Sequence, residues 1–366
     1  MQNTHNKVCL VATSLAKGGA ERSCALLSRM LYEKGYNVHI VTLNDEIDYA
    51  YSGTLYNLGI EKKISDSQVR RFFRFRKFRA FLKKENFDVI IDHRPKNEFY
   101  RELFYASYIY KGFKRIYVVH SSNFDTYLGK KPELFLKFYN QSIKTIAVAK
   151  AIETKLNTLG INNTITIQNA FDDTMIQNAE MLPENLTEKK YLLSYGRLND
   201  SIKDISFLID SFTLSEVWKK RIYLVIMGDG KDLDMLKAKA AKRLSSKFIL
   251  FIPFKKNPFS IIKNARAVTL TSHYEGFPMV LVESLSIGTP VISIDINSGP
   301  SEIVRHQENG LLIEKRSLPL FAEALKKMCV DEAFYELCKE NSKPSVAHLE
   351  KNNIAEKWHQ LLQNEL

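Results

Sequence analysis

Glu275 and Glu283 stand eight residues apart in the segment Glu275-Gly276-Phe277-Pro278-Met279-Val280-Leu281-Val282-Glu283. A Gly-aromatic-Pro turn and an apolar run separate the two carboxylates. Pro278 suits the first position of a helix, where its missing N–H is no loss. The pattern predicts a helix from Met279 to Ile287, stopped by Gly288-Thr289-Pro290. Glu275 then lies on the loop before the helix and Glu283 about one and a half turns inside it. The backbone N–H groups around Gly276 and Phe277 fall at the positive end of the helix dipole. This arrangement fits a ligand with hydroxyls at both ends and negative charge between them, the form of a nucleoside-diphosphate sugar. Two glutamates at this spacing are a weak pattern alone, and the neighbouring motifs give it weight.

Gly18-Gly19-Ala20-Glu21-Arg22 follows a strand-like run and opens a helix. Glycines there let a ligand approach the backbone, and a helix start favours phosphate; a tight structural turn would use the same residues. The segment is not the G-x-G-x-x-G fingerprint, so NAD binding is not indicated. Gly196-Arg197 follows another strand, with Lys203 six residues after Arg197. Two such cations can neutralise a diphosphate, Arg through its fork and Lys as a point charge, although ordinary surface cations read the same way. Met227-Gly228-Asp229-Gly230 marks a further turn. In Asn297-Ser298-Gly299-Pro300-Ser301-Glu302-Ile303, Pro300 and Ser301 can start a helix and expose more N–H groups. His120 ends a strand, where a purely structural histidine is the commoner case. Asp232-Leu233-Asp234 matches an acidic D-x-D metal-binding pattern but falls in an opening helical turn, where Asp is favoured in any case. It reads as a helix start, and neither a metal nor a cofactor is expected.

These residues need a scaffold that brings strand ends together. Strands are expected at Lys7–Thr13, Val38–Leu43, Asp88–Asp92, Arg115–His120, Thr145–Ala149 and Thr164–Ile167, with helices such as Ala20–Glu33 between them. The alternation restarts at Tyr191–Tyr195, Ile222–Met227, Phe248–Phe251, Ala267–Thr271 and Val291–Ile294. Repeated βα units imply parallel sheets covered by helices on both faces. The expected class is α/β, with two doubly wound Rossmann-like domains facing a central cleft and ligands at the strand C-terminal ends. The first domain is expected over 1–172, a polar linker over 173–190, and the second domain over 191–345. A helical segment over 346–366, with Trp358, Leu361 and Leu362 at helical spacing, is expected to pack across both.

The chain has 366 residues, enough for two full cores, and its 45% hydrophobic and 26% charged composition is that of a folded globular protein. No stretch approaches the roughly 18–20 apolar residues of a membrane span. The polar opening MQNTHNKVCLVATSL does not resemble a signal peptide. Cys9, Cys24, Cys329 and Cys338 are scattered without metal-ligand spacing, which fits reduced thiols in a cytoplasmic protein. Residues 1–174 hold 27 Lys+Arg and 17 Asp+Glu, or +10 of the net +12. That excess points to an anionic partner. Its densest block, residues 69–84, puts Phe72, Phe75, Arg79 and Leu82 near one helical face, flanked by Phe78, with Arg70, Arg74 and Lys77 opposite. Such a helix fits an anionic membrane surface, or packs on the core through its phenylalanines. No nucleic-acid recognition module is present in the sequence, so nucleic acid is not an expected partner.

Taken in order, the motifs resemble glycosyltransferase family 4, enzymes of the GT-B fold that retain anomeric configuration. The resemblance runs along nearly the whole chain, from GGAER through NAFD (Asn169–Asp172), YGRLNDSIKD (Tyr195–Asp204), MGDG and EGFPMVLVE to SGPSEIV and NGLLI (Asn309–Ile313). It implies that Arg197 and Lys203 hold a donor diphosphate, with Gly196 and the Gly18-Gly19 turn beside them. Glu275 and the N–H groups of Gly276, Phe277 and Met279 would hold the transferred sugar, and Glu283 the ribose. His120 would line the sugar and acceptor side, and Asn169, Ser298 and Gly299 belong to the matching substrate-binding motifs. Two departures stand out. The Arg-to-Lys spacing is one residue longer than the commonest family form, and Asn169-Ala170 replaces the usual Asn-Gly. The resemblance implies transfer from a nucleotide sugar, with UDP-sugar as the expected donor, to a saccharide or lipid-linked saccharide in polysaccharide, lipopolysaccharide or glycan assembly. The expected place is cytoplasmic, peripheral on the inner face of a membrane. The alternatives are a GT-B sugar-nucleotide epimerase or hydrolase, and a non-catalytic partner subunit.

Overall fold

The computed structural model describes residues 6–62, 67–129, 131–172 and 180–366. The chain forms two compact units, one of residues 1–170 with 351–366 and one of residues 171–350. Residues 173–179 of the expected linker lie outside the described residues. The rest of that stretch contains a single 3-10 turn, Glu184–Leu186, whose Leu186 is buried.

Among the described residues the first unit holds seven strands: β1 (Lys7–Ala12), β2 (Asn37–Thr42), β3 (Thr54–Asn57), β4 (Val89–Asp92), β5 (Arg115–Val119), β6 (Lys144–Ala147) and β7 (Thr164–Thr166). They lie in the order β3-β2-β1-β4-β5-β6-β7, and all pair in parallel. The second unit holds β8 (Lys190–Tyr195), β9 (Ile222–Met227), β10 (Ile249–Ile252), β11 (Ala267–Leu270), β12 (Val291–Ile294) and β13 (Gly310–Ile313). Their order is β10-β9-β8-β11-β12-β13, again parallel throughout. Parallel strands require helical crossovers and burial on both faces. Accordingly β4 and β11 are fully buried along their length, and apolar except for Asp92 and Thr269.

Strand order reverses between β1 and β4 in one sheet and between β8 and β11 in the other. Neighbouring crossovers there run to opposite faces, leaving a crevice outside the strand C-terminal ends. The loops after β1, β4, β8 and β11 carry Gly18, His93, Arg197 and Glu275 respectively.

Four expectations change in detail. β3 and β13 are additional strands: β3 is only half-buried and short, so it lacks the apolar run that marks the others. Phe248 closes a 3-10 turn, and the strand expected from it begins at Ile249. His120 lies one residue beyond β5, on the following loop. Pro278 takes the cap position with ψ 91°, and the helix runs Met279–Ser286, because the chain is still extended at the proline.

Helix α1 (Gly19–Glu33) follows β1, and α2 (Gln68–Glu85) precedes β4. The core face of α2 is Phe78 and Leu82, with Phe75 and Phe81 packed beside them. Phe72, expected on that face, is exposed together with Val69 and Phe73. Arg79 reaches the carbonyl oxygens of Tyr108 and Ile109 instead of solvent. The C-terminal helix Lys351–Glu365 belongs to the first unit, where it packs against α1. Lys351 pairs with Glu33 and Lys34 with Glu356, while the Tyr36 hydroxyl meets His359 Nδ1 at 2.9 Å.

Candidate functional site

In the second unit, the turn after β8 and the loop after β11 converge on one ion pair. Lys203 Nζ lies 2.6 Å from Glu275 Oε1, and Ser272 Oγ donates to the same oxygen at 2.7 Å. The residues come from sequence positions seventy-two apart, yet adjacent strands bring them together. Lys203 ends the short helix Asp200–Lys203, whose cap Asp204 is left-handed with φ 48°. That turn is held from several sides. Thr271 Oγ1 donates to the carbonyls of Lys203 and Asp204, and Arg316 Nη1 meets Asp204 Oδ2 at 2.6 Å. Arg316 also donates to the Thr271 and Ser272 carbonyls, which fixes the start of the Glu275 loop. Asp204 Oδ1 in turn caps the helix Ile205–Ser215 by accepting from Phe207 N–H. The pair is thus set by a partly buried frame anchored on the buried Thr271 and Ser272.

Glu283 lies in the helix Met279–Ser286 and is only 2% exposed. The Tyr195 hydroxyl donates to its Oε2 at 2.8 Å, orienting a carboxylate that would be costly to bury unpaired. Ser298 Oγ donates to the Gly276 carbonyl, joining the turn after β12 to the turn before this helix. Gly299 sits there at φ 99°, and a Cβ would strike the Pro278 ring, so only glycine closes this contact. Gly228, at φ 146°, lets the MGDG turn pass directly against the Gly196 carbonyl. Arg197, next to Gly196, is exposed. Tyr195, Gly196, Arg197, Lys203, Thr271 and Ser272 line one small cavity.

Asp232 precedes the helix Leu233–Ala241, and its Oδ2 accepts from Asp200 N–H at 2.8 Å. Its carboxylate therefore braces the turn that carries Lys203. Among the described residues no group of His, Cys, Asp or Glu is arranged to hold a metal ion.

In the first unit, Gly18 caps α1 without a side-chain hydrogen bond, and the Glu21 carboxylate folds back beside it. Open space lies over Gly19. Asn169 Oδ1 accepts from Ser23 Oγ at 2.8 Å, so Asn169 is tied to α1. His120 meets His93, a residue absent from the sequence expectations, with Nε2 3.0 Å from His93 Nδ1. Behind His93 lies a buried cluster of Asp92, Arg94, Lys96 and Glu102. Arg94 donates to both Asp92 oxygens and to Glu102 Oε2, while stacking over Tyr105. Burial alone would raise the Asp92 carboxyl, but Arg94 and then Lys96 hold it down at about 2.

The expected residues Gly196, Arg197, Lys203, Glu275, Gly276, Phe277, Met279, Glu283, Ser298 and Gly299 all belong to the second unit. Lys203, Glu275, Gly276 and Ser298 are directly linked there, and Glu283 is held through Tyr195. Gly18, Gly19, His120 and Asn169 belong to the first. Sequence reasoning missed Arg316, Ser272 and His93. Arg316 carried only a faint signal, a cation just after the NGLLI run. His93 carried a clearer one, a histidine ending an apolar strand and followed by Arg-Pro-Lys.

The profile described as Glycosyl transferases group 1 matches residues 178–344, and that described as Glycosyltransferase Family 4 matches residues 17–174. The chain is 25% identical over 373 residues to the N-acetylgalactosamine-N,N'-diacetylbacillosaminyl-diphospho-undecaprenol 4-alpha-N-acetylgalactosaminyltransferase of Campylobacter jejuni, covering 95% of this chain and 97% of that protein. It is 24% identical over 363 residues to the amylovoran biosynthesis glycosyltransferase AmsD of Erwinia amylovora, covering 94% and 96%. Among solved structures, Anabaena HepE in complex with UDP and glucose superposes with a TM-score of 0.78 at 17% identity, covering 98% of this chain and 100% of that one. With both halves matched in order and the fold shared, the chain belongs to glycosyltransferase family 4 and is a glycosyltransferase of the GT-B fold.

Proposed function

We propose that this protein is a retaining glycosyltransferase that moves a sugar from a UDP-sugar to a lipid-linked saccharide in cell-surface glycan assembly. The observation that carries the donor half is the Lys203–Glu275 pair at the switch point of the second sheet, with Arg197 beside it. Transfer requires stabilising a departing diphosphate while positive charge develops on the sugar ring. Arg197 and Lys203 supply cations, and the N–H groups of Gly276, Phe277 and Met279 supply dipoles, without a metal or other cofactor. Glu275 keeps Lys203 in place and offers a carboxylate to the sugar hydroxyls. Glu283, oriented by Tyr195, takes the ribose. UDP complexes of a fold relative are consistent with this donor.

The acceptor half rests on the Campylobacter relative, whose name specifies α-transfer to a diphospho-undecaprenol saccharide. An α product formed from an α-linked UDP-sugar keeps the anomeric configuration. The acceptor hydroxyl then attacks on the face that the diphosphate leaves, and a leaving phosphate oxygen takes its proton. A lipid-linked acceptor requires access to a membrane surface, and α2 offers one. Val69, Phe72 and Phe73 are 64%, 49% and 54% exposed among Arg70, Arg71, Arg74 and Arg76. Aromatic rings at the headgroup level with arginines on anionic lipid are the physical requirement for interfacial docking.

The test is calorimetric titration of the protein, without added metal, with UDP, UDP-glucose, UDP-galactose, UDP-N-acetylglucosamine, UDP-N-acetylgalactosamine and GDP-mannose. One UDP-sugar should bind selectively. Arg197→Ala and Glu275→Ala should each weaken it about tenfold or more, the value of one charge-assisted hydrogen bond. Absence of binding by every UDP-sugar, or unchanged binding in both variants, would overturn the site.

A further inference from the structure

Arg316 follows β13 and stands just before the helix Leu318–Val330. Its guanidinium carbon lies 5.4 Å from the ring centre of Phe207, which packs edge-on against Phe321 of that helix. The outer nitrogens donate three bonds: Nη1 to Asp204 Oδ2 at 2.6 Å and to the Thr271 carbonyl at 2.9 Å, and Nη2 to the Ser272 carbonyl at 2.7 Å. Thr271 and Ser272 are buried, and Arg316 itself is partly so. All of these residues belong to the second unit.

Followed onward, these bonds close a ring. Asp204 adjoins Lys203, and Lys203 Nζ meets Glu275 Oε1 at 2.6 Å. Ser272 Oγ donates to that same oxygen at 2.7 Å, and the Ser272 carbonyl leads back to Arg316. The two segments also meet directly, through Thr271 Oγ1 on the Lys203 and Asp204 carbonyls and through His273 N–H on the Ile202 carbonyl. Those bonds tie the segments through their backbones, and none of them answers the charge of the Asp204 carboxylate. Its Oδ2 faces Arg316 and, at 3.4 Å, the exposed His273 Nε2, while Oδ1 accepts from Phe207 N–H. Arg316 is the permanent cation of that set. Without it, a carboxylate next to Lys203 in the chain would compete with a diphosphate for the Lys203 ammonium. The Thr271 and Ser272 carbonyls would lose a charged donor in a buried place, which is costly.

We infer that Arg316 is a positioning residue for sugar transfer: one guanidinium holds the Lys203 turn against the Glu275 loop and neutralises Asp204, so that Lys203 serves the leaving diphosphate while Glu275 serves the sugar. This rests on the reading that Lys203 and Glu275 hold the donor. The role calls for a planar fork, because one cation must donate in two directions at once, which an ammonium on a flexible stem does not reproduce. Arg316 acts on the alignment of leaving group and sugar, which matters most in the transition state. Resting donor binding is shared with Arg197 and Glu283, to which Arg316 makes no bond among the described contacts.

The test sets turnover, read as UDP release from the UDP-sugars of the titration panel, beside calorimetric binding of UDP. Arg316→Gln should lower kcat about 10- to 100-fold, the cost of misplacing reacting groups from a distance. Donor KM and UDP Kd should stay within about threefold. Arg316→Lys keeps the charge without the fork, and its kcat should remain at least about fivefold low. Asp204→Asn suits the left-handed turn and keeps an acceptor for Phe207 N–H, so it should cost less than Arg316→Gln. The double variant should then lose no more than Arg316→Gln alone, because the two residues act as a unit. A kcat within about twofold of the unmodified protein in Arg316→Gln or Arg316→Lys would overturn the inference. Losses that multiply in the double variant would also overturn it, as would a fall carried by donor KM and UDP Kd with kcat unchanged. If Arg316→Gln fails to fold, Arg316→Lys decides by the same split of kcat against KM. Lys203→Ala and Glu275→Ala in the same assay separate the underlying reading. Unchanged kcat in both would remove the donor site, whereas a loss in both beside an inert Arg316→Gln would reject only the positioning role.

Discussion

Lys203 and Glu275 illustrate what a residue can and cannot announce by itself. Each is unremarkable on a helix end or a loop, and the extra residue between Arg197 and Lys203 departs from the usual spacing. The short helix Asp200–Lys203 ends in the left-handed turn at Asp204, which Arg316 and Thr271 hold, and Lys203 reaches Glu275 at 2.6 Å. His93 and His120 carry a consequence for stability. Both fold with pKa values below the unfolded value of about 6.5, so below that pH the unfolded chain binds protons that the folded chain does not. The stability is fully present above pH 6.5 and is lost as pH falls, by about 2 kcal/mol at pH 5 for His93, held at about 3, with a further loss in the same direction from His120. Asp92, held at about 2, responds only below its unfolded value of about 4 and leaves this window clear. Denaturant unfolding at pH 7.5 and pH 5 should therefore show a loss that His93→Phe reduces. An equal loss in both proteins would count against neutral burial of the pair.

At the scale of elements, α2 shows why a helix can be legible while its orientation is not. Five phenylalanines, Phe72, Phe73, Phe75, Phe78 and Phe81, are spread around the helix. No single stripe dominates, so periodicity alone does not select the buried face. Packing selects it: Phe78 meets Tyr105 and Tyr110 edge-on, and Phe81 stacks on Tyr56. Phe78→Ala should cost about 3–5 kcal/mol in chemical denaturation, whereas Phe72→Ala and Phe73→Ala together should cost about 1 kcal/mol or less. The same exposed side chains govern the membrane reading. Replacing Arg70, Arg71, Arg74 and Arg76 by Glu, or Phe72 and Phe73 by Ser, should abolish co-sedimentation with phosphatidylglycerol vesicles while leaving UDP-sugar binding intact. Absence of vesicle binding by the unmodified protein would reject the surface.

For the whole molecule, the C-terminal helix Lys351–Glu365 is the last element in sequence but belongs to the first unit. Ile354, Trp358, Leu361 and Leu362 are buried there, and polar contacts to Glu33, Lys34 and Tyr36 tie the helix to α1 and its end. The two tryptophans fall one in each unit, Trp218 in the second and Trp358 in the first. A chain ending at Glu350 should lose several kcal/mol from the first unit, since it removes the burial of four large apolar side chains. Fluorescence of Trp218 in that shortened chain should keep its denaturation midpoint, while hydrogen exchange in β1 and β2 accelerates. A shift of the Trp218 midpoint as large as the loss of protection in β1 and β2 would contradict this division.

The sequence by itself determined the α/β class, the two runs of βα alternation and most buried strands, because parallel strands are buried on both faces and read as unbroken apolar runs. It also determined the helix that carries Glu283, because turn and helix-start signals are local in the chain. Only the tertiary structure decided that Lys203 meets Glu275, that Tyr195 orients Glu283, and that His93 meets His120. It alone decided that Arg316 braces the site and which phenylalanines of α2 are buried. Those contacts join residues distant in the chain through strand neighbours, and strand order follows from packing, which no local pattern encodes.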